Sequence, residues 1–146
     1  MKILELGHVV LYVTNLEKMA SFYRDVLGFP EVDRAHGAAV FSSGRTHHEL
    51  LLIEIGGQAQ QPRMRPGLYH IGFKVANNDE DLQQVYKELK EHNVRIVGTA
   101  DHTVTHSIYI LDPDENELEL YADVSDEWRE DPKSIMAPVR PLSLDS

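Results

Sequence analysis

The sequence predicts an α+β fold made of two tandem βαβββ units, and three observations lead to this prediction. The segment GHVVLYVTNLEKMASFYRDVLGF aligns with YHIGFKVANNDEDLQQVYKELKEHNV, about sixty residues later, as one copy of a repeated unit does with the next. In both segments apolar residues first alternate and then recur every three or four positions, which indicates a strand followed by a helix. Three shorter strand candidates follow each helix. The chain therefore contains one supersecondary unit twice.

The first copy opens with a two-faced strand. Val9, Leu11 and Val13 form an aliphatic face that we expect to pack under the helix, whereas His8, Val10 and Tyr12 lie on the opposite face. Asn15 is the candidate N-cap of this helix, and Gly28 is its candidate C-terminal stop. The apolar stripe of the helix consists of Leu16, Met19, Phe22, Tyr23, Val26 and Leu27.

The second copy repeats this scheme. Ile71, Phe73 and Val75 are expected to face the helix, and His70 and Gly72 are expected to point the other way. The helix residues that meet them are predicted to be Leu82, Val85, Tyr86 and Leu89. The remaining strands are predicted around 31–34, 38–42, 49–55, 95–97, 107–111 and 117–121.

These elements predict a single domain over 1–146. Unit one covers about 4–57, a Gly-, Gln- and Pro-rich linker covers about 58–66, and unit two covers about 67–123. The stretch 124–146 is predicted to form a short helical turn and an extended C-terminal arm that lies over the domain or over a neighbouring subunit.

Composition excludes several classes of function. The net charge of −10, with scattered Lys and Arg, argues against nucleic acid as a partner. No apolar run is long enough for a signal peptide or a membrane span, so we expect a cytoplasmic protein without a membrane partner. Cysteine is absent, so a metal has to be held by imidazole and carboxylate groups.

The pairing of GHVVLYV and FYRDVLGF with HIGFKV and a closing LDPDENELELY resembles the vicinal-oxygen-chelate superfamily. That superfamily includes glyoxalase I, type I extradiol dioxygenases and bleomycin-resistance proteins, and the resemblance covers roughly residues 5 to 123. It implies a curved, partly open mixed β-barrel around a metal. It also implies metal ligands on the first strand of each unit and on the last strand of the second, where this chain has His8, His70 and Glu119.

The strand pattern agrees with this ligand set. His8 and His70 occupy matching positions of the repeat, and Glu119 shares a strand face with Glu117 and Tyr121. Two imidazoles and one carboxylate form the facial triad typical of non-heme Fe(II), which leaves positions open for substrate and oxygen. Fe(II) is the expected cofactor, with Mn(II), Zn(II) or Ni(II) as alternatives.

The segment RTHHELLLIEI contains two competing signals. His48 and Glu54 have the same strand parity, so both are candidates to face the cavity. His48 resembles the histidine that acts as an acid and a base in extradiol dioxygenases. Glu54 resembles the glutamate that is a fourth ligand and base in glyoxalase I.

The last strands favour the dioxygenase. Tyr109 lies ten residues before Glu119, where extradiol enzymes place a tyrosine that orients the substrate. Those enzymes also have a histidine further upstream, for which His102 is the better candidate and His106 the second choice. The other histidines, His36, His47 and His92, are expected to be solvated. The turn LDPDEN has Glu115 where relatives commonly have glycine, which suggests that Asn116 takes the positive-φ conformation instead.

The sequence therefore predicts an extradiol ring-cleaving dioxygenase that uses Fe(II), an aromatic diol and O2, with His48, Tyr109 and His102 as catalytic residues. A glyoxalase I-like lyase or isomerase that uses Glu54 is one alternative. A non-catalytic small-molecule-binding or resistance protein is another. The family habit of small members predicts a homodimer.

Overall fold

The computed structural model describes residues 1–59 and 64–145 and has the predicted α+β architecture of two βαβββ repeats. The first repeat contains β1 (Val9–Val13), α1 (Leu16–Ser21), a π-helical turn (Phe22–Val26), β2 (Glu31–Ala35), β3 (Ala38–Phe41) and β4 (Leu50–Glu54). The second contains β5 (His70–Ala76), α2 (Asp79–Glu91), β6 (Arg95–Asp101), β7 (Thr105–Leu111) and β8 (Glu117–Asp123). Of the predicted linker, residues 60–63 lie outside the described residues.

Each repeat forms its own four-stranded mixed sheet, with the strand orders β1-β4-β3-β2 and β5-β8-β7-β6. The first and last strands of each repeat are parallel neighbours, and the other pairs are antiparallel. The strands form two separate mixed sheets, and neither is closed into a barrel. The chain divides into two compact units, one for each repeat, and the turn Pro113–Glu115 belongs to the first unit. In that unit the Asp114 carboxylate accepts hydrogen bonds from the backbone N–H and the hydroxyl of Thr14, at 2.8 and 2.6 Å.

The first helix begins and ends as the sequence predicts. The side chain of Asn15 accepts a hydrogen bond from the backbone N–H of Lys18, which satisfies one free donor of the first turn. Gly28 has φ = 70°, the left-handed conformation that ends a helix at low cost in glycine. Leu11 and Val13 are buried, as predicted, and so are Leu16, Met19, Phe22 and Tyr23 of the helical segment.

The second repeat departs from the predicted strand face at one position. Val75 was expected to face α2, but it is exposed, and Ala76 is buried in its place. The cause is a β-bulge between Lys74 and Ala76, where the register with β8 shifts by one residue. Leu82 and Leu89 of α2 are buried as predicted.

The C-terminal arm lies on the second unit. After two short 3₁₀ helices, Glu127–Arg129 and Pro132–Met136, it pairs with the exposed edge of β6. The backbones of Asp101 and Arg140 exchange two hydrogen bonds of 2.9 Å, and Leu144 is buried. The arm thereby covers an edge strand that would otherwise present unpaired backbone groups. In the described part of the chain, no helix is long and apolar enough to cross a membrane.

Candidate active site

The structure brings His70 and Glu119 together on neighbouring strands of the second sheet. In the parallel register of β5 and β8, His70 lies opposite Glu117 and Gly72 lies opposite Glu119. The His70 Nε2 atom is 3.0 Å from Glu119 Oε2. Gly72 leaves room on this face, since a Cβ atom there would lie 3.5 Å from the ring of Tyr121 and 3.8 Å from Glu119 Oε2.

Three polar side chains of the same unit surround Glu119. The Ser107 hydroxyl, which is fully buried, donates a hydrogen bond of 2.7 Å to Glu119 Oε1. The Tyr109 hydroxyl donates to the same oxygen at 3.2 Å and lies 2.6 Å from His102 Nε2. His102 Nε2 is itself 3.8 Å from the carboxylate. The predicted residues His70, His102, Tyr109 and Glu119 therefore form one connected group.

Burial and the negative charge of Glu119 raise the pKa of the Tyr109 phenol well above its ordinary value. The phenol therefore stays protonated at neutral pH and acts as a hydrogen-bond donor.

His102, and not His106, is the histidine that joins this group. The His106 ring lies between two carboxylates elsewhere on the unit, with Nδ1 2.6 Å from Asp79 and Nε2 3.4 Å from Asp101.

His8 lies in the first unit, immediately before β1 and exposed. The backbone that leads to it is held by Arg45, which donates hydrogen bonds to the carbonyl groups of Leu6 and Gly7 at 3.3 and 3.1 Å. The His48 ring lies beside it, with 4.4 Å between the ring centroids, so the two histidines that the sequence selected in this repeat are neighbours.

His47, which was expected to be solvated, is exposed and also contacts His48, through an Nδ1–Nδ1 distance of 2.6 Å. Desolvation, followed by the proximity of His8 and His47, lowers the pKa of His48. The neutral imidazole of His48 is therefore favoured at neutral pH.

The expectation that Glu54 faces the same cavity is wrong. Glu54 shares its strand parity with Leu50 and Leu52, which are buried on the helix side of the sheet. Its Oε1 atom accepts a hydrogen bond of 2.9 Å from the backbone N–H of Leu16, so the carboxylate supports the first turn of α1. Glu54 also pairs with Val13 at the end of β1 opposite to His8.

The second unit supplies two donor atoms of the kinds that bind a divalent metal. The Nε2–Oε2 distance of 3.0 Å between His70 and Glu119 is that of a hydrogen-bonded pair, and two atoms at this separation can also bind one metal ion. One imidazole nitrogen and one carboxylate oxygen are also the donor types of the predicted triad. Among the described residues, no group of three or more His, Cys, Asp and Glu side chains is arranged to hold a metal ion. The complete triad with His8 stays a prediction.

Two residues that sequence reasoning did not select belong to this group. Ser107 lies two positions before Tyr109, so the alternation in THSIYIL places it on the same face of β7. Glu117 lies two positions before Glu119 and directly opposite His70. The alternation of β7 therefore contained the signal for Ser107, and the strand face that Glu119 shares with Glu117 contained the signal for Glu117.

Comparison with known proteins identifies the family of this chain. The family model described as the Glyoxalase/Bleomycin resistance protein/Dioxygenase superfamily matches residues 5–120. The chain belongs to this superfamily. Its members are mostly enzymes, and they bind divalent metals, which vary between members.

Individual relatives of this superfamily member have different activities. The chain is 32% identical over 119 residues to a catechol-2,3-dioxygenase of Bacillus subtilis (strain 168), covering 81% of this chain and 41% of that protein. It is 29% identical over 120 residues to the metallothiol transferase FosB of Staphylococcus haemolyticus (strain JCSC1435), covering 80% and 81%. The crystal structure of the fosfomycin resistance protein FosX from Listeria monocytogenes shares the fold, with a TM-score of 0.68, 22% identity and coverage of 86% and 98%. The chain thus spans less than half of the dioxygenase and most of the transferase.

Proposed function

We propose that this superfamily member is an extradiol dioxygenase that opens the ring of a catechol-type diol with O2. The hydrogen-bonded group of His102, Tyr109 and Glu119 is the observation that supports this proposal best. It places a protonated phenol and an imidazole beside a carboxylate of the predicted ligand set. The similarity to a catechol-2,3-dioxygenase points the same way.

In this proposal His8, His70 and Glu119 hold the metal. When bound, Fe(II) supplies a centre at which the two oxygens of the diol and O2 can be held together. Ser107 and Tyr109 both donate to Glu119 Oε1, which leaves Oε2 facing His70 Nε2. The carboxylate is therefore held in one orientation before any metal arrives.

The other residues handle protons and orientation. Neutral His48 accepts a proton from a substrate hydroxyl, because its lowered pKa keeps the ring unprotonated at neutral pH. Tyr109 stays protonated, and its one proton turns from Glu119 Oε1 to a substrate oxygen when the substrate binds, while Ser107 keeps the carboxylate in place and His102 contacts the phenol oxygen.

Oxygen uptake tests the proposal. The protein is reconstituted with Fe(II) without air and then mixed with catechol or 2,3-dihydroxybiphenyl in air, while oxygen uptake and the yellow ring-fission product are recorded. We expect product with the wild type, none with His8→Ala or Glu119→Ala, and nearly full activity with His106→Ala. The last variant is the matched control, because His106 lies on the same sheet but contacts Asp79 and Asp101. Wild-type protein that binds Fe(II) and consumes no oxygen with either diol contradicts the proposal.

A metal-dependent thiol transferase is the second candidate, because this chain matches 81% of the length of FosB but only 41% of that of the catechol-2,3-dioxygenase. Consumption of a low-molecular-weight thiol in the presence of fosfomycin and Mn(II), abolished by Glu119→Ala, would favour it. A glyoxalase-type lyase has less support, since the Glu54 carboxylate is hydrogen-bonded to the first turn of α1. A pure binding protein would retain its ligand when the three predicted metal ligands are replaced.

The proposal includes a homodimer. β1 is an edge strand, and its face opposite to the helix carries Val10 and Tyr12, which are 44% and 70% exposed. Exposed apolar side chains on an unpaired edge favour association with a second chain. Light scattering should give twice the mass of one chain, and Tyr12→Glu should shift the mass toward the monomer. A monomeric wild type at micromolar concentration contradicts this part.

A further inference from the structure

Two buried polar atoms face each other beside the proposed metal ligands of the second unit. His70 Nδ1 and Glu117 Oε2 are both buried, and neither has a hydrogen-bond partner among the described residues. The two atoms are 3.5 Å apart. Buried polar groups nearly always have a hydrogen-bond partner. A ring nitrogen that can donate and a carboxylate oxygen that can accept, both unpaired at this distance, therefore indicate a hydrogen bond that a small rotation of the His70 ring would form.

The position of Glu117 follows from the strand register. His70 and Glu117 are direct partners in the parallel pair of β5 and β8, and Glu119 lies on the same face two residues further along. The His70 ring is therefore placed between two carboxylates, with Nδ1 toward Glu117 and Nε2 toward Glu119. Each ring nitrogen has its own acidic neighbour.

Tyr69 also interacts with the Glu117 carboxylate. Hydrogen bonding with Glu117, then burial, raises the pKa of Tyr69. The Tyr69 ring also contacts the His70 ring, with 4.4 Å between their centroids. Tyr69 thus lies beside both members of the His70–Glu117 pair.

We propose that Glu117 is a positioning residue that accepts a hydrogen bond from Nδ1–H of His70 and so directs the Nε2 lone pair toward the metal. A histidine that binds a metal through one nitrogen usually donates its other N–H to a carboxylate or carbonyl group, which fixes its tautomer and orientation. In this unit Glu117 supplies that carboxylate. This role rests on the metal site of the proposed function.

Metal affinity tests the role without any turnover. Zn(II) and Co(II) affinities are measured by competition with a chromogenic chelator for the wild type, Glu117→Gln, Glu117→Met and Asp123→Asn. The Gln variant keeps a hydrogen-bond acceptor, the Met variant keeps the length of the side chain without one, and Asp123→Asn removes one negative charge from the same strand. We expect Glu117→Met to lose about 10- to 100-fold in affinity. Glu117→Gln should lose less, and Asp123→Asn should stay close to the wild type.

A second readout separates orientation from charge. Long-range nitrogen–proton NMR correlations of the Zn(II)-loaded protein should show a protonated Nδ1 and a metal-bound Nε2 for His70 in the wild type and in Glu117→Gln. The Met variant should lose this single state. If Glu117→Met does not fold, Tyr69→Phe replaces it, because it removes the hydroxyl group that interacts with Glu117 and should weaken metal binding in the same direction.

The outcomes distinguish the two proposals. A wild-type protein that binds no metal overturns the metal site and the proposed function with it. Metal binding that is equally tight in the wild type and Glu117→Met overturns the role of Glu117 alone, as does an equal loss in Asp123→Asn.

Discussion

Replacing Tyr109 with phenylalanine tests the best-connected hydroxyl group of the site. The substitution keeps the ring and removes the hydroxyl, which lies 3.2 Å from Glu119 Oε1 and 2.6 Å from His102 Nε2. A hydrogen bond to a charged group contributes about 1.5–3 kcal/mol to stability. Glu119 keeps its bond from Ser107, and the His102 side chain is 26% exposed, so water can replace part of the loss. We therefore expect the free energy of unfolding of the variant to be about 1–2 kcal/mol lower than that of the wild type.

Two assays follow from this estimate. Thermal unfolding should show a decrease in Tm of about 2–8 °C, because 1 kcal/mol corresponds to about 2–4 °C in a chain of this size. For the reaction, loss of one donor that acts on the reacting oxygen should lower kcat by about a hundredfold. Oxygen uptake by the Fe(II)-loaded protein measures this decrease.

Tyr121→Phe is the matched control. Tyr121 lies on the same face of the sheet, next to Gly72, and its replacement removes a phenolic hydroxyl without touching the hydrogen bond to Glu119. We expect this variant to keep kcat within about threefold of the wild type, a change worth less than about 1 kcal/mol. Equal activity in Tyr109→Phe and Tyr121→Phe, with both close to the wild type, would refute the role assigned to Tyr109.

Three further changes test the electrostatics and the backbone. Glu54→Ala should lower the free energy of unfolding by about 0.5–1 kcal/mol, because the hydrogen bond from the Leu16 N–H is lost. The variant should keep the Zn(II) affinity of the wild type in a chelator competition. Weaker Zn(II) binding would restore the glyoxalase-type interpretation. Hydrogen bonds from Arg34, then from Arg24, lower the pKa of Glu31 in the folded protein. The ionised Glu31 carboxylate therefore stabilises the fold at pH values above the ordinary glutamate pKa, and this stabilisation is lost as the pH falls through the pKa of Glu31 in the folded protein. Glu31→Gln should therefore be less stable than the wild type by about 0.5–1 kcal/mol at pH 7, and denaturant titrations should show the difference shrinking below about pH 4.5. Glu115→Gly should stabilise the protein by about 0.5–1 kcal/mol, whereas Glu115→Ala, which keeps the strained conformation, should not.

The last of these changes addresses a conformation that the sequence placed on the wrong residue. The missing glycine in LDPDEN suggested that Asn116 takes a positive φ, but Glu115 itself has φ = 65°. Asn116 is held by Asp112, which accepts bonds from its backbone N–H at 2.9 Å and from its side-chain amide at 2.8 Å. These two hydrogen bonds to Asp112 are specific to this turn. General residue preferences for turns do not include them, so those preferences did not identify Glu115 as the residue with positive φ.

Most secondary structure could be predicted because burial imposes a period on the chain. The alternation of β1 and the three- and four-residue spacing of α1 are direct consequences of covering one face, and the cap of Asn15 is a local hydrogen bond. The prediction for Val75 was wrong for a non-local reason, since the bulge in β5 is a property of its pairing with β8. The prediction for Glu54 was wrong because alternation assigns a residue to one of two strand faces, and the sequence alone did not show which face of β4 the helix covers.

The site depends on register more than on residue types. His70, Gly72 and Lys74 pair with Glu117, Glu119 and Tyr121 in one uninterrupted stretch, and the bulge follows it. A slip of one residue would set Leu118 opposite His70 and turn both carboxylates toward the helix side of the sheet. Because the bulge begins only after Lys74, the strand bends without moving this stretch. The ordered part of β5 is therefore the part that positions the proposed ligands, and the irregular part lies beyond them.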